Sequence, residues 1–148
     1  IVRQTNYMPK TLNSQLVSML FATKRALMNS MCKEKNFSPV DYIQAETLSF
    51  ILKNPKTLSK DVAEFLAITS PSATTLIDKL EKQGLVKRTH SKSDRRKINL
   101  QVTPDGETFI KQTVIKMKKI AQEMFKVLDE QDKKNLVNIY QKILNNYK

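Results

Sequence analysis

Hydrophobic residues recur at helical intervals over most of this chain, and the places where the rhythm fails divide it into segments. From Thr11 to about Lys35 the residues Leu12, Leu16, Met19, Leu20, Leu27 and Met31 keep that spacing, which predicts one long first helix. In Ser38-Pro39-Val40-Asp41 a capping hydroxyl precedes a proline suited to the first helical position, and a carboxylate follows that can complete a capping box. A second helix should therefore start at Pro39 and run to about Lys53, before Asn54-Pro55. A short third helix is expected from a Ser59 cap, with Asp61 in its first turn and Val62, Phe65 and Leu66 on its buried side. The fourth is capped by Ser70, opens with Pro71 and stops at Gly84. Around its wheel Ala73, Leu76, Ile77 and Leu80 share one arc, while Pro71, Thr75, Asp78, Lys79 and Lys82 share the other.

After Gly84 the period changes from helical to alternating. Ile98, Leu100 and Val102 alternate with Asn99 and Gln101, the mark of a half-buried strand, and Val86 to His90 supplies its partner. Ser91-Lys92-Ser93-Asp94 between them is rich in turn-forming residues, and Arg95, Arg96 and Lys97 make the hairpin tip basic. Helical spacing resumes at Thr103-Pro104-Asp105 and is predicted to continue to Leu128. Ile110, Val114, Met117, Ala121, Met124 and Leu128 form a heptad-like seam there, able to pack on another long helix. A final helix from about Asp129 repeats the rhythm with Leu136, Tyr140, Ile143 and Tyr147. The fold class is mainly α with a small β-hairpin wing. Two short helices joined by Ala67-Ile68-Thr69 and followed by a basic hairpin have the outline of a winged helix-turn-helix, although the glycine common in such a connection is absent.

Composition narrows the picture. At 148 residues the chain can bury one good core, so residues 1–148 read as a single domain. Within it, residues 38–103 are the winged part, and 11–35 and 104–148 are helical flanks. These flanks carry more apolar stripe than a winged helix of about 70 residues could cover alone, which points to a homodimer. No apolar run approaches the roughly 20 residues of a membrane span, and the expectation is a soluble, cytoplasmic protein. With one Cys and one His, neither an internal disulfide nor a zinc site within one chain is expected, and no cofactor is implied. A phosphate-cradling glycine loop and a nucleophile motif are both absent, which argues against an enzyme. The net charge is +12, and residues 70–97 hold its densest excess, +5 in 28 residues. That concentration favours a polyanionic partner, through attraction to phosphates and release of their counterions.

Three stretches then carry a resemblance. Gly84-Leu85-Val86-Lys87-Arg88, Asp94-Arg95-Arg96 and Val102-Thr103-Pro104-Asp105-Gly106 closely resemble the hallmark region of the multiple antibiotic resistance regulator (MarR) family of bacterial transcription factors. The likeness covers nearly the whole chain, because members of that family also flank a winged helix with dimerising helices. It implies a homodimeric DNA-binding regulator, most often a repressor. The expected partner is double-stranded DNA with a palindromic operator, its half-sites about one helical turn, ~34–36 Å, apart. It also implies a small aromatic or lipophilic effector as a candidate partner.

A recognition helix over about 70–83 would place Ser70, Ser72, Thr74, Thr75 and Lys79 at base edges in the major groove, with Lys82 and Lys87 on phosphates. A wing over about 87–97 would bring Arg88, Lys92, Arg95 and Arg96 to the DNA. By the resemblance, one arginine of Asp94-Arg95-Arg96 enters the minor groove while Asp94 braces the wing through an ion pair with Arg88 or Arg96. Which arginine enters is open, and so are plainer readings: Asp94 as a turn former, Thr74 and Thr75 as exposed helix residues. Two other functions also stand. One is nucleic-acid binding without sequence preference, either architectural or to RNA. The other is redox sensing through Cys32, which neighbouring lysines favour and a helix carboxyl end opposes.

Overall fold

The computed structural model describes residues 11–90 and 98–146. Its elements follow in the order α1 (Leu12–Lys33), α2 (Pro39–Lys53), α3 (Ser59–Phe65), α4 (Ser70–Lys82), β1 (Val86–His90), β2 (Ile98–Val102), α5 (Pro104–Met124) and α6 (Glu130–Asn145). The fold is mostly helical with a two-stranded antiparallel hairpin, a winged helix as the sequence predicts. Residues 36–119 make one compact unit. Residues up to Lys35 and from Ile120 onward make another.

The winged unit is built on one apolar core. Leu48 and Ile51 of α2, Val62 and Ala63 of α3, and Ala73, Ile77 and Leu80 of α4 meet Leu85, Val86, Leu100 and Val102 of the hairpin, with Phe109 and Ile110 packed against them. Every α4 member lies on the arc that the helical wheel marked as apolar. The hairpin pairs Val86 with Val102 and Arg88 with Leu100, so the alternation in β2 turns Leu100 and Val102 inward. On the other side of β2, the Leu100 N–H donates to Thr57 O at 2.9 Å and ties the loop before α3 to the sheet.

Both helices of the pair begin at the serines expected to cap them, so each cap lies one residue earlier. Thr69 caps α4, its hydroxyl accepting from Ser72 N at 3.4 Å, which leaves Ser70 as the first helical residue and Pro71 as the second. Before α3, the Leu58 N–H donates to Asp61 Oδ2 at 2.8 Å, because a carboxylate on the first turn reaches back where the Ser59 hydroxyl would have to face forward. The cap of α2 is as predicted: Ser38 Oγ accepts from Asp41 N and donates to Asp41 Oδ2.

Helix α5 ends at Met124 and not at Leu128. Asp129 caps α6 with extended backbone, its carboxylate accepting from Asp132 N at 2.7 Å, so the chain must leave the helix before it. The buried positions of α5 also differ from the predicted seam. Gly106, Thr113 and Ile120 are buried at a spacing of seven, while Val114 is 45% exposed. The stripe is displaced because its first member is a glycine whose missing side chain lets α5 approach the hairpin. A Cβ on Gly106 would lie 2.2 Å from Leu85 O. Counting apolar residues could not register a glycine and a threonine as core positions.

In the other unit, α1 is capped by Thr11, whose hydroxyl accepts from Ser14 N at 3.3 Å. Leu12, Leu16, Met19, Leu20 and Phe21 are between 55% and 70% exposed. Helix α6 has no buried residue, and Val137, Ile139, Ile143 and Leu144 are all at least half exposed.

Candidate nucleic-acid interface

Helix α4 divides sharply between its two faces. Ala73, Ile77 and Leu80 have no exposed surface, whereas Ser70, Ser72, Thr74, Thr75, Lys79 and Lys82 are all exposed. Three turns of helix thus hold hydroxyls near the amino end and lysines near the carboxyl end. Both threonine hydroxyl protons are already engaged: Thr74 Oγ1 donates to Ser70 O and Thr75 Oγ1 to Pro71 O, each at 3.0 Å. Thr69 Oγ1 and Ser72 Oγ lie 2.9 Å apart and share one proton-donating bond. With their protons turned back on the helix, the two threonine oxygens keep lone pairs free to accept.

The end of α4 is fixed by a left-handed bend at Gly84, φ 74°, with Gly84 N–H donating to Glu81 O and Leu85 N–H to Leu80 O, both at 2.9 Å. The bend turns the chain into β1 and sets Arg88 beside the helix it has just left. Its guanidinium donates to Asp78 Oδ1 at 2.5 Å and also to Glu81 Oε2, and the Asp78 bond above all raises its already high pKa. Arg88 is therefore charged at any working pH, and its side chain is only 28% exposed. This arginine, expected to reach DNA and named as one candidate partner of Asp94, here ties β1 to α4.

Lys87, on the opposite side of the same strand, is exposed. Lys92, Asp94, Arg95 and Arg96 lie outside the described residues. Cys32 is exposed and one residue from the carboxyl end of α1. Among the described residues no group of three or more His, Cys, Asp or Glu could hold a metal ion. No described helix is long and apolar enough to cross a membrane.

Four residues of this region escaped sequence reasoning. Asp78 was placed on the polar arc and Glu81 was given no place, although their spacing of three, followed by an arginine just past the glycine turn, was a legible signal. Thr69 was placed in the connection and not in the helix. Gln83, the last residue of α4's terminal turn, accepts a hydrogen bond at 3.0 Å from Nε2 of Gln44, a buried residue of α2, and nothing in the sequence pairs two glutamines 39 positions apart.

Comparison with known proteins places these features among transcription regulators. Residues 38–97 match the family model described as MarR family. YfiV of Bacillus subtilis, an uncharacterised helix-turn-helix regulator, is 41% identical over 58 residues, 38% of this chain and 36% of that protein's length. The transcriptional repressor MdtR of the same organism is 24% identical over 132 residues, 89% of this chain and 85% of its own. A crystal structure of MarR superposes with a TM-score of 0.70 over 93% of this chain and 98% of that one, at 18% identity, a likeness of fold.

Proposed function

We propose that the chain, whose residues 38–97 match the MarR family model, is a MarR-type helix-turn-helix transcription regulator and that it acts as a homodimeric repressor binding a palindromic operator. The observation that carries the reading is the two-faced α4, with every predicted contact residue on it exposed and its opposite arc buried in the core. A helix held this way can enter the major groove amino end first. Ser70, Ser72, Thr74 and Thr75 then meet base edges, and Lys79, Lys82 and Lys87 meet phosphates. The free lone pairs of Thr74 and Thr75 suit amino donors, which the major groove offers at adenine N6 and cytosine N4. Lys92, Arg95 and Arg96, with Asp94 as brace, complete the interface by resemblance to the family. Arg88 acts in this proposal through its ion pairs, as a strut between wing and helix. The repressor assignment follows the resemblance and the likeness to MdtR, a transcriptional repressor.

The second copy of the chain has a surface to meet. Leu12, Leu16, Met19, Leu20 and Phe21 on α1 and Ile139, Ile143 and Leu144 on α6 expose large apolar side chains, an arrangement that water disfavours and a symmetric partner would cover. A cytoplasmic location and a small aromatic or lipophilic effector are carried over from the resemblance, and no residue is assigned to the effector.

The test is fluorescence anisotropy near physiological salt, with the intergenic DNA beside the protein's own gene against a scrambled duplex. Wild type should prefer the native duplex by at least ~10³-fold, and Arg95→Ala/Arg96→Ala should weaken it. Equal binding to both duplexes would replace the operator reading with nucleic-acid binding that ignores sequence. Binding to neither would remove the DNA-binding assignment.

A further inference from the structure

We propose that Gln44 is a positioning residue for the recognition helix, and that its bond to Gln83 makes the pose of α4 on DNA depend on α2; the inference rests on the DNA-binding reading above. The apolar contacts of α4 cannot set that pose alone. Ala73, Ile77 and Leu80 hold the helix against the core, but apolar attraction is non-directional and leaves small rotations and slides nearly free. Directional contacts must do the rest, and they gather at the carboxyl end. Arg88 holds Asp78 and Glu81, and Thr103 Oγ1 donates to Gly84 O at 2.6 Å. Both of these come from the hairpin that follows α4. The bond from Gln44 Nε2 to Gln83 Oε1 comes from α2.

Gln44 is unusual among its neighbours. It is 1% exposed, and Ala45, Leu48 and Ile51 on the same helix show that α2 fills its buried face with apolar side chains where it can. The other buried polar residue of α2, Thr47, satisfies its hydroxyl on its own helix, at Ile43 O. Gln44 instead reaches to a different element. A buried amide that loses its partner is penalised by its desolvation. Orientations of α4 that carry Gln83 out of reach are therefore disfavoured in a way that an apolar residue at position 44 would not enforce. Leverage enlarges the effect. Ser70 and Gln83 stand at opposite ends of a helix about 20 Å long, so a tilt of about 5° pivoted at Gln83 moves the base-reading end by roughly 1.7 Å, over half a hydrogen-bond length.

The experiment compares Gln44→Met, Gln83→Met and the double variant with wild type, on the duplex the wild type prefers. Methionine keeps the length and volume of glutamine without its amide. Each single variant should lose about tenfold or more in affinity, and the double variant should lose no more than either single one, because one bond is removed in all three. Melting temperatures should stay within a few degrees of wild type. The slope of log K against log salt should not change, since no phosphate contact is lost. Amide hydrogen exchange at Gln83, Gly84 and Leu85, measured without DNA, should speed up in Gln44→Met. Binding within twofold of wild type, additive losses, or unchanged exchange at those amides would each overturn the proposal. A wild type that binds no duplex would instead overturn the DNA-binding reading, and this inference would fall with it.

Discussion

Ala67 and Gly84 end consecutive helices with the same bend. At Ala67, φ is 52°, and the Ala67 N–H donates to Glu64 O while Ile68 N–H donates to Ala63 O. At Gly84, with φ 74°, the same two bonds recur one helix later. Glycine is suited to this left-handed position, and an alanine Cβ is crowded there by roughly 1–2 kcal/mol. Part of that is offset by the greater freedom glycine gives the unfolded chain, about 0.5–1 kcal/mol. Ala67→Gly should therefore stabilise the protein by about 0.5–1 kcal/mol, seen as a higher midpoint in urea. A lower midpoint would mean that the alanine methyl makes packing contacts worth more than the strain it carries. The missing glycine in the helix-turn-helix connection was thus visible in the sequence, but the turn did not change to suit it: the core contacts of Val62 and Ala63 before it, and of Ala73 after it, hold the chain in the same path.

Among elements, the period of the apolar residues located the helices and strands, but it did not tell which residues of α5 are buried or where that helix ends. α2 and both strands lie where the sequence placed them, because Pro39 and Asn54-Pro55 bracket the helix and the alternation in β2 buries Leu100 and Val102, although Ile98 on the same side is exposed. The end of α5 was illegible because no glycine or proline marks it. Asp129, where the sequence already starts the final helix, caps α6, but nothing in the sequence marks the four residues between Met124 and it as outside a helix.

The link between α4 and β1 was hidden for another reason. An arginine in a basic stretch reads as a phosphate contact until geometry gives it two carboxylates. Arg88→Met removes both ion pairs and should lower the melting temperature by about 2–5 °C, given that partly exposed pairs contribute about 1 kcal/mol or less each. Repeating the comparison in 1 M NaCl, where screening shortens to about 3 Å, should narrow the gap. A gap that salt leaves unchanged would show that Arg88 matters through the packing of its aliphatic stem and not through its charge.

For the whole molecule, the exposed apolar residues of α1 and α6 support the proposed dimer. Leu16→Glu/Ile143→Glu puts charge on both helices at sites that are 59% and 50% exposed in the single chain. Light scattering after size exclusion should find the wild type at twice the chain mass and the variant at the chain mass, with helicity retained. A wild type of single-chain mass would remove the dimer from the proposal. Helical patterning disclosed these stripes, but which of them a partner covers depends on a second chain that the pattern does not describe.

Thr103 has a consequence of a different kind. Its hydroxyl donates to Gly84 O at 2.6 Å and accepts from Gly106 N–H at 3.1 Å, and its own N–H donates to Leu85 O at 3.1 Å. One residue thereby fastens the end of α4, the start of α5 and both feet of the hairpin. A loop sealed at its base is thermodynamically insulated, since doubling the length of what it encloses adds only about 0.6 kcal/mol of closure entropy. A change of length between the two strands should therefore cost the helices on either side little, because the ties that hold those helices lie at the hairpin's base.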